Sequence, residues 1–243
     1  MRLDKFLVDC GLGSRSEVKV LLKKKQVTLN GKLVTSPKTQ VDEKADQIVC
    51  SGQSLTYERF VYYLMNKPQG VISATEDERH KTVLDLLDET ARHKQVFPVG
   101  RLDIDTQGLL LLTNNGDLAH AMLSPKKHVD KVYQAQVAGL MDDKDVQAFE
   151  EGIILKDHTC QPARLSILSV DLEAQTSLVQ ITIAEGKFHQ VKRMVAACGK
   201  TVTALERLTM GPLSLPQDLE PGDWRRLSQE EMTSLEIFGI PLI

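Results

Sequence analysis

The chain has 243 residues, 42% of them hydrophobic, and a formal net charge of −3. This length and composition allow a folded core with more than one domain and exclude a largely disordered chain. No apolar run suits a secretion signal or a membrane span, so we expect a cytoplasmic protein without a membrane partner.

The charge is unevenly spread along the chain. Residues 1–40 carry nine Lys and Arg against three Asp and Glu, a net charge of +6, whereas the rest of the chain carries about −9. Such an asymmetry indicates that the first segment contacts a polyanion. The four cysteines and six histidines are scattered without ligand spacing, so the sequence predicts neither a disulfide framework nor a metal site.

Two helices are predicted at the start of the chain. The first spans residues 2–9 and ends at Gly11-Leu12-Gly13. The second runs from Ser14 to about Lys25, because Ser14 and Glu17 match a capping box and apolar residues follow at helical spacing.

A hairpin is predicted next, over residues 27–34, since Asn30-Gly31 suits a type I′ turn. The order helix, helix, hairpin, with basic residues on the second helix, resembles the alpha-L RNA-binding motif found in a small-subunit ribosomal protein. An ordinary solvated basic helix face is the alternative. The RNA-binding candidates of this segment are Arg15, Lys19, Lys23 and Lys24.

Residues 45–59 are predicted to form a strand that leaves the first domain and a linker to the second. The predicted domains therefore span residues 1–58 and 59–243. The second domain opens with a buried strand that is halted by Pro68, and a short helix is predicted over residues 82–87.

Two apolar runs, Val96–Val99 and Leu109–Thr113, predict buried strands on either side of a polar loop. Charged residues in such a loop, here Arg101, Asp103 and Asp105, cost desolvation unless they pair or contact a ligand. An ordinary charged hairpin loop is one alternative. A calcium loop is disfavoured, because its twelfth position is Asn114 instead of Glu and its flanks predict strands.

The segment Phe97–Asp103, followed by Thr106–Asn114, resembles the signature of bacterial rRNA pseudouridine synthases. Within them it most resembles the branch that acts on small-subunit rRNA, and the resemblance extends over nearly the whole chain. In that family the Asp of this motif is catalytic, which implies that role for Asp103. Asn66-Lys67-Pro68-Gln69-Gly70 matches the family's first motif.

Ser124–Tyr133 matches the second family motif, in which a Tyr lies against the target base. The resemblance therefore implies that role for Tyr133, whereas a Tyr in a strand is otherwise most often a core residue. A helix is predicted over residues 142–151 and strands over 164–170 and 177–183. The predicted fold is α+β, a small helix-helix-hairpin RNA-binding domain followed by a mixed or antiparallel-sheet catalytic domain.

The segment Glu185–Met194 resembles the third family motif, whose basic residue, here Lys192, pairs with the catalytic Asp. Much of the superfamily has Arg there; Lys matches the small-subunit branch but cannot form a bidentate pair. Helical spacing predicts that Phe188, Val191 and Val195 face the core, whereas His189, Lys192 and Arg193 share another face. A solvated helix face is the alternative. Further RNA-binding candidates are Arg101, Lys187, His189 and Arg193.

Together these features predict an enzyme that isomerises a uridine of small-subunit rRNA to pseudouridine, with no cofactor, no metal and no obligatory protein partner. The alternatives are a noncatalytic rRNA-binding or ribosome-assembly factor and a synthase for large-subunit rRNA. A carboxylate hydrolase lacks a convincing second acid, because Asp105 is expected to point to the opposite side of the loop from Asp103. Arg207 and Gly211 also match the family pattern without a role derived from the sequence.

Overall fold

The computed structural model describes residues 1–243 and contains two compact units. One unit comprises Met1–Val61, Leu87–Val96 and Ile243, and the other comprises Tyr62–Leu86 and Phe97–Leu242. The sequence did not predict that a segment from the middle of the chain joins the first unit, and the division at residue 58 stays a prediction. None of the helices combines the length and apolar composition needed to cross a membrane.

The first unit packs helices on a four-stranded antiparallel sheet of order β2-β1-β3-β4. Its elements are α1 (Leu3–Asp9), α2 (Arg15–Lys23), β1 (Val27–Leu29), β2 (Lys32–Leu33), β3 (Ile48–Cys50), β4 (Gln53–Leu55) and α3 (Glu89–His93). The predicted helix-helix-hairpin order is therefore confirmed. Positive φ angles at Asn30 and Gly31, 50° and 77°, fit the type I′ turn.

Helix α2 is amphipathic, as its sequence predicts. Ser14 and Glu17 form the capping box, and Val18 and Leu22 are fully buried. The helix ends two residues earlier than predicted, since Lys24 is its C-cap and Lys25 has a φ of 58°. Residues 45–59 contain the hairpin β3/β4 instead of a single exit strand.

The second unit is built on a mixed sheet with the strand order β13-β5-β7-β11-β8-β10-β9. Its strands are β5 (Tyr62–Lys67), β6 (Phe97–Pro98), β7 (Gln107–Thr113), β8 (Lys131–Ala138), β9 (Arg164–Asp171), β10 (Thr176–Ile183), β11 (Thr201–Met210), β12 (Leu213–Ser214) and β13 (Trp224–Arg226). Only β7 and β11 pair in parallel. The predicted α+β class with a mixed sheet is confirmed.

The helices of this unit are α4 (Gly116–Leu123), α5 (Asp143–Glu151), α6 (Gln190–Ala197) and α7 (Gln229–Ser234), and 3₁₀ turns span Val83–Leu86, Pro125–Lys127 and Leu235–Phe238. One core cluster joins β8, β10 and β11 to α5 and α6. Leu102 belongs to this cluster, so the residue that precedes Asp103 is anchored in the core.

Candidate active site

Asp103 lies in a turn that leads into β7. The turn closes with a hydrogen bond of 3.1 Å from the Thr106 amide to the Asp103 carbonyl. The Lys67 side chain is fully buried, and its Nζ donates to the Thr106 carbonyl at 2.8 Å and the Pro68 carbonyl at 2.9 Å. An ammonium group at the end of β5 therefore fixes the backbone that follows Asp103.

The other side of the turn is fixed by the segment after β5. Ser73 Oγ donates to the Leu102 carbonyl at 2.9 Å and accepts from the Leu102 amide at 3.0 Å. The Gly70 amide donates to the Ile104 carbonyl at 2.7 Å. These contacts fix the backbone on both sides of Asp103.

The close approach of β7 to β11 depends on Gly108. Its φ is +108°, and a Cβ there would lie 2.6 Å from the Arg207 backbone nitrogen and closer still to its carbonyl oxygen. No other residue fits this position without moving β11. Arg207 itself is 2% exposed, and its Nε donates to the Leu109 carbonyl at 2.8 Å.

The carboxylates of Asp103 and Asp105 converge on Lys192, the third residue of α6. Lys192 Nζ donates to Asp103 Oδ2 at 3.0 Å and to Asp105 Oδ1 at 2.6 Å. His189 Nε2 lies 3.5 Å from Asp103 Oδ1. The expected opposite orientation of Asp105 is wrong, because the turn brings both carboxylates to the same ammonium, and side chains two residues apart share a side even in an extended strand.

Hydrogen bonds, charges and burial shift the pKa values of Asp105, Lys192 and Lys67. The hydrogen bond from Lys192, opposed by burial, lowers the pKa of Asp105 below its usual range. Burial acts to lower the pKa of Lys192, but the hydrogen bonds to Asp105 and Asp103 outweigh it and raise that pKa. Burial lowers the pKa of Lys67 to about 8, against the opposing pull of Asp103 and Asp105.

Asp103 borders an open cleft that is lined by residues of its own turn, of β8 and β11 and of α6. Tyr133 and Arg207 are cross-strand partners on β8 and β11, and both line the cleft with Lys131. Burial, assisted by Arg207, lowers the pKa of Lys131 to about 8. The cleft therefore has a cationic and aromatic wall.

Two buried polar atoms of cleft-lining residues, Thr106 Oγ1 and Arg207 Nη2, have no hydrogen-bond partner. A buried polar group without a partner costs about 1–3 kcal/mol. The structure thus places unused hydrogen-bonding capacity beside the Asp103 cluster. The side chains described here contain no group of three or more His, Cys, Asp or Glu that could hold a metal ion.

The structure brings most of the predicted residues of the second unit together. Arg101, Lys187 and His189 line the cleft with Asp103, Lys192 and Tyr133. Arg193 turns away and pairs with Asp157, so its predicted RNA contact stays a prediction. In the first unit the candidates of the basic helix are all exposed: Arg15, Lys19, Lys23 and Lys24.

The predicted burial of Phe188 is wrong. His189 adopts a left-handed conformation with φ 48° and caps α6, which begins only at Gln190. Phe188 therefore precedes the helix and is 69% exposed, whereas Val191 and Val195 are buried as predicted. The helical spacing was extended two residues too far toward the N-terminus.

Residues 61–197 match the family model described as RNA pseudouridylate synthase, and residues 1–48 match that of the S4 domain. The first match covers more than half of the chain. The chain belongs to the RNA pseudouridine synthase family.

Similar synthases span the whole chain. A Bacillus subtilis protein named uncharacterized RNA pseudouridine synthase YtzG is 44% identical over 96% of this chain and 97% of its own length. Ribosomal large subunit pseudouridine synthase B of B. subtilis is 40% identical over 96% and 95%. Ribosomal small subunit pseudouridine synthase A of Yersinia pestis is 38% identical over 97% and 98%.

A solved pseudouridylate synthase confirms the architecture of this synthase family member. It is 35% identical and covers 97% of this chain and 99% of its own, with a TM-score of 0.66. Because both the S4 domain and the synthase domain are RNA modules, the substrate of this synthase is RNA.

The sequence did not predict the positions of Lys67, Lys131 and Arg207 in this synthase. Lys67 carries a local signal, a lysine at the end of an apolar strand just before Pro68. Arg207 and Gly211 matched the family pattern, but the cross-strand position of Arg207 beside Tyr133 requires the sheet register. Gly211 lies in the turn between β11 and β12, with a φ of 55°.

Proposed function

We propose that this protein isomerises a uridine to pseudouridine in small-subunit ribosomal RNA and that Asp103 is the catalytic carboxylate. The observation that carries the proposal is the Asp103 carboxylate at the edge of the cleft, paired with Lys192, while Tyr133 lines the same cleft. A cytoplasmic location is part of this proposal.

The chemistry requires the uracil to be detached at its N-glycosidic bond, turned and rejoined through carbon-5. A base stacked in RNA must first be extruded into a pocket. The cleft offers such a pocket, in which Tyr133 stacks on the uracil with a gain of about 1–3 kcal/mol. Arg207 and Thr106, each with a buried polar atom that has no hydrogen-bond partner, line the same cleft.

The Asp103 carboxylate begins the reaction by attacking the sugar, attacking the base or removing the 2′ proton of the ribose. Each route uses the ionised form. The ammonium of Lys192 lies 3.0 Å from the carboxylate, pairs with it and fixes its rotamer. Lys192 Nζ also donates to Asp105 Oδ1. The other Asp103 oxygen, Oδ1, lies toward His189.

The choice of ribosomal RNA is supported by the names of relatives that match nearly the full chain, and these name both subunits. The small-subunit assignment is supported by Lys192, which matches that branch at a position where Arg is common in the wider superfamily. A synthase for large-subunit rRNA is the second candidate, since the relative named for the large subunit is 40% identical.

The test is carbodiimide mapping of pseudouridine in both rRNAs from a strain that lacks the gene. We expect one small-subunit position to lose its pseudouridine. A plasmid with the parent gene restores it, whereas one with Asp103→Asn does not. Loss of a large-subunit position instead would contradict the subunit assignment. Unchanged rRNA of both subunits would contradict the choice of ribosomal RNA.

A further inference from the structure

Phe188 and His189 form an exposed aromatic pair at the cleft. Their rings stack with centroids 3.7 Å apart and planes inclined by 19°, while Phe188 remains 69% exposed. A large aromatic side chain that is supported on one face and open on the other offers a flat surface to a ligand.

The backbone holds this pair in place. Gln190 is buried, its Oε1 accepts from the Lys187 amide at 3.0 Å, and its Nε2 donates to Glu185 Oε2 at 2.8 Å. The same Glu185 oxygen accepts from the Gln161 amide at 3.0 Å. These hydrogen bonds anchor the loop that exposes Phe188. His189 has a left-handed backbone conformation, with a φ of 48°, and such strained conformations cluster at functional sites.

The pair is linked directly to the proposed reaction centre. His189 Nε2 lies 3.5 Å from Asp103 Oδ1, so the backing ring contacts the proposed catalytic carboxylate. Ile104, which is 40% exposed, lines the same outer part of the cleft as Phe188. Phe188 and Ile104 thus expose apolar surface in the part of the cleft that Asp103 also lines.

Positive groups surround this apolar surface, since Arg101, Lys131 and Lys187 line the same outer cleft. Aromatic rings that alternate with cationic side chains are the features by which proteins bind single-stranded nucleic acid, bases on the rings and phosphates on the charges. Tyr133 is only 8% exposed on the cleft wall, whereas Phe188 stands at the rim. The two rings therefore suit different nucleotides.

We propose that Phe188, backed by His189, stacks on an RNA base next to the target uridine and so binds the strand while that uridine is extruded. This inference rests on the proposed function. When a base leaves its stack, its neighbour loses a stacking partner, and Phe188 replaces that partner. A base-aromatic stack is worth about 5- to 150-fold in affinity.

The experiment measures tritium release from small- and large-subunit rRNA transcripts labelled at carbon-5 of uridine, for the parent, Phe188→Ala, Phe188→Leu and Phe188→Trp. We expect Phe188→Ala and Phe188→Leu to lower kcat/KM by about 5- to 150-fold through KM, with kcat nearly unchanged. Phe188→Trp keeps a flat ring and stays within about threefold of the parent. The matched control Leu172→Ala removes a side chain that is 71% exposed outside the cleft and leaves kcat/KM unchanged.

The outcomes separate the two proposals. If the parent releases tritium and Phe188→Leu matches it, apolar bulk suffices and base stacking is contradicted. Parental kcat/KM in Phe188→Ala contradicts any RNA contact of this ring and leaves the proposed function intact. If the parent releases tritium from neither transcript, the proposed function fails and takes this inference with it. Thermal melts of all variants exclude misfolding as the cause.

Discussion

The turn that holds Asp103 and the basic face of α2 use charged residues in opposite ways. The Asp103 turn is fixed by buried partners, namely Lys67, Ser73 and the glycine contact between β7 and β11. On α2, Arg15, Lys19 and Lys23 follow one another at helical spacing and are exposed. The first arrangement provides a defined geometry, and the second provides positive charge on flexible side chains. We expect the chemistry to depend on the first and the phosphate contacts on the second.

Among the residues around Asp103, Lys192→Met is expected to have the largest effect. The substitution removes the ammonium that contacts both Asp103 and Asp105. The Asp103 carboxylate therefore loses its neighbouring positive charge and its fixed orientation. We expect the single-turnover rate at saturating RNA to fall by about 100- to 1,000-fold while affinity changes little. Lys144→Met is the matched control, because Lys144 is exposed on α5 and lies outside the cleft. Equal rates for the parent and Lys192→Met would remove Lys192 from the mechanism.

Gly108→Ala tests whether the geometry of the turn depends on the strand contact behind it. A methyl group at this position meets the Arg207 backbone and also requires an unfavourable φ. We expect a loss of more than about 1 kcal/mol in the free energy of unfolding, measured by urea denaturation. Gly116→Ala is the control, since nothing lies within 4 Å of its Cβ position. Equal losses of unfolding free energy in both variants would show that the close approach of β7 to β11 at Gly108 does not contribute to stability.

Substitutions on the basic face of α2 should change RNA affinity and leave the reaction rate unchanged. Lys19→Ala combined with Lys23→Ala removes two exposed charges from α2. If each contacts one phosphate, the slope of log affinity against log salt drops by about 0.7 per contact for single-stranded RNA. Saturating single-turnover rates stay parental. The control pair Lys144→Ala with Lys156→Ala, also exposed, should leave the slope unchanged, and a drop of equal size there would contradict a specific role of α2.

The smallest effect concerns the pH dependence of stability at Lys67. Burial lowers its pKa from 10.5 to about 8, so between these values the unfolded chain holds a proton that the folded chain lacks. Raising the pH through this window therefore favours folding, and lowering the pH through it disfavours folding. Relative to Lys67→Met, the parent should gain at most about 1.4 kcal/mol of stability per pH unit. Urea denaturation at pH 7, 8 and 9 measures this, and a constant difference would contradict it.

Local signals in the sequence were sufficient for local structure. The capping box of α2 and the Asn30-Gly31 turn were predicted correctly because each depends on neighbours within a few residues. The motif around Asp103 also identified the region of the site. The ten-residue strand β11 was not predicted, since its apolar and polar residues alternate irregularly and its parallel partner β7 is distant in the chain.

The details of the site depended on contacts that composition does not encode. The left-handed conformation of His189 moved Phe188 out of the helix, and nothing in the spacing of Val191 and Val195 signals that change. The buried Lys67 looks like a surface residue until its two carbonyl partners are seen. Asp105 joined the cluster because the loop folds back into a turn.

The most direct test of the account is tritium release from carbon-5-labelled uridine in small-subunit rRNA by Asp103→Asn. Asparagine keeps the size of the side chain and much of its hydrogen bonding but removes the charge that every route requires. Melting temperature and RNA affinity are measured on the same preparations. We predict no detectable release from a folded variant that binds RNA like the parent. Near-parental release by that folded variant would contradict the catalytic role of Asp103.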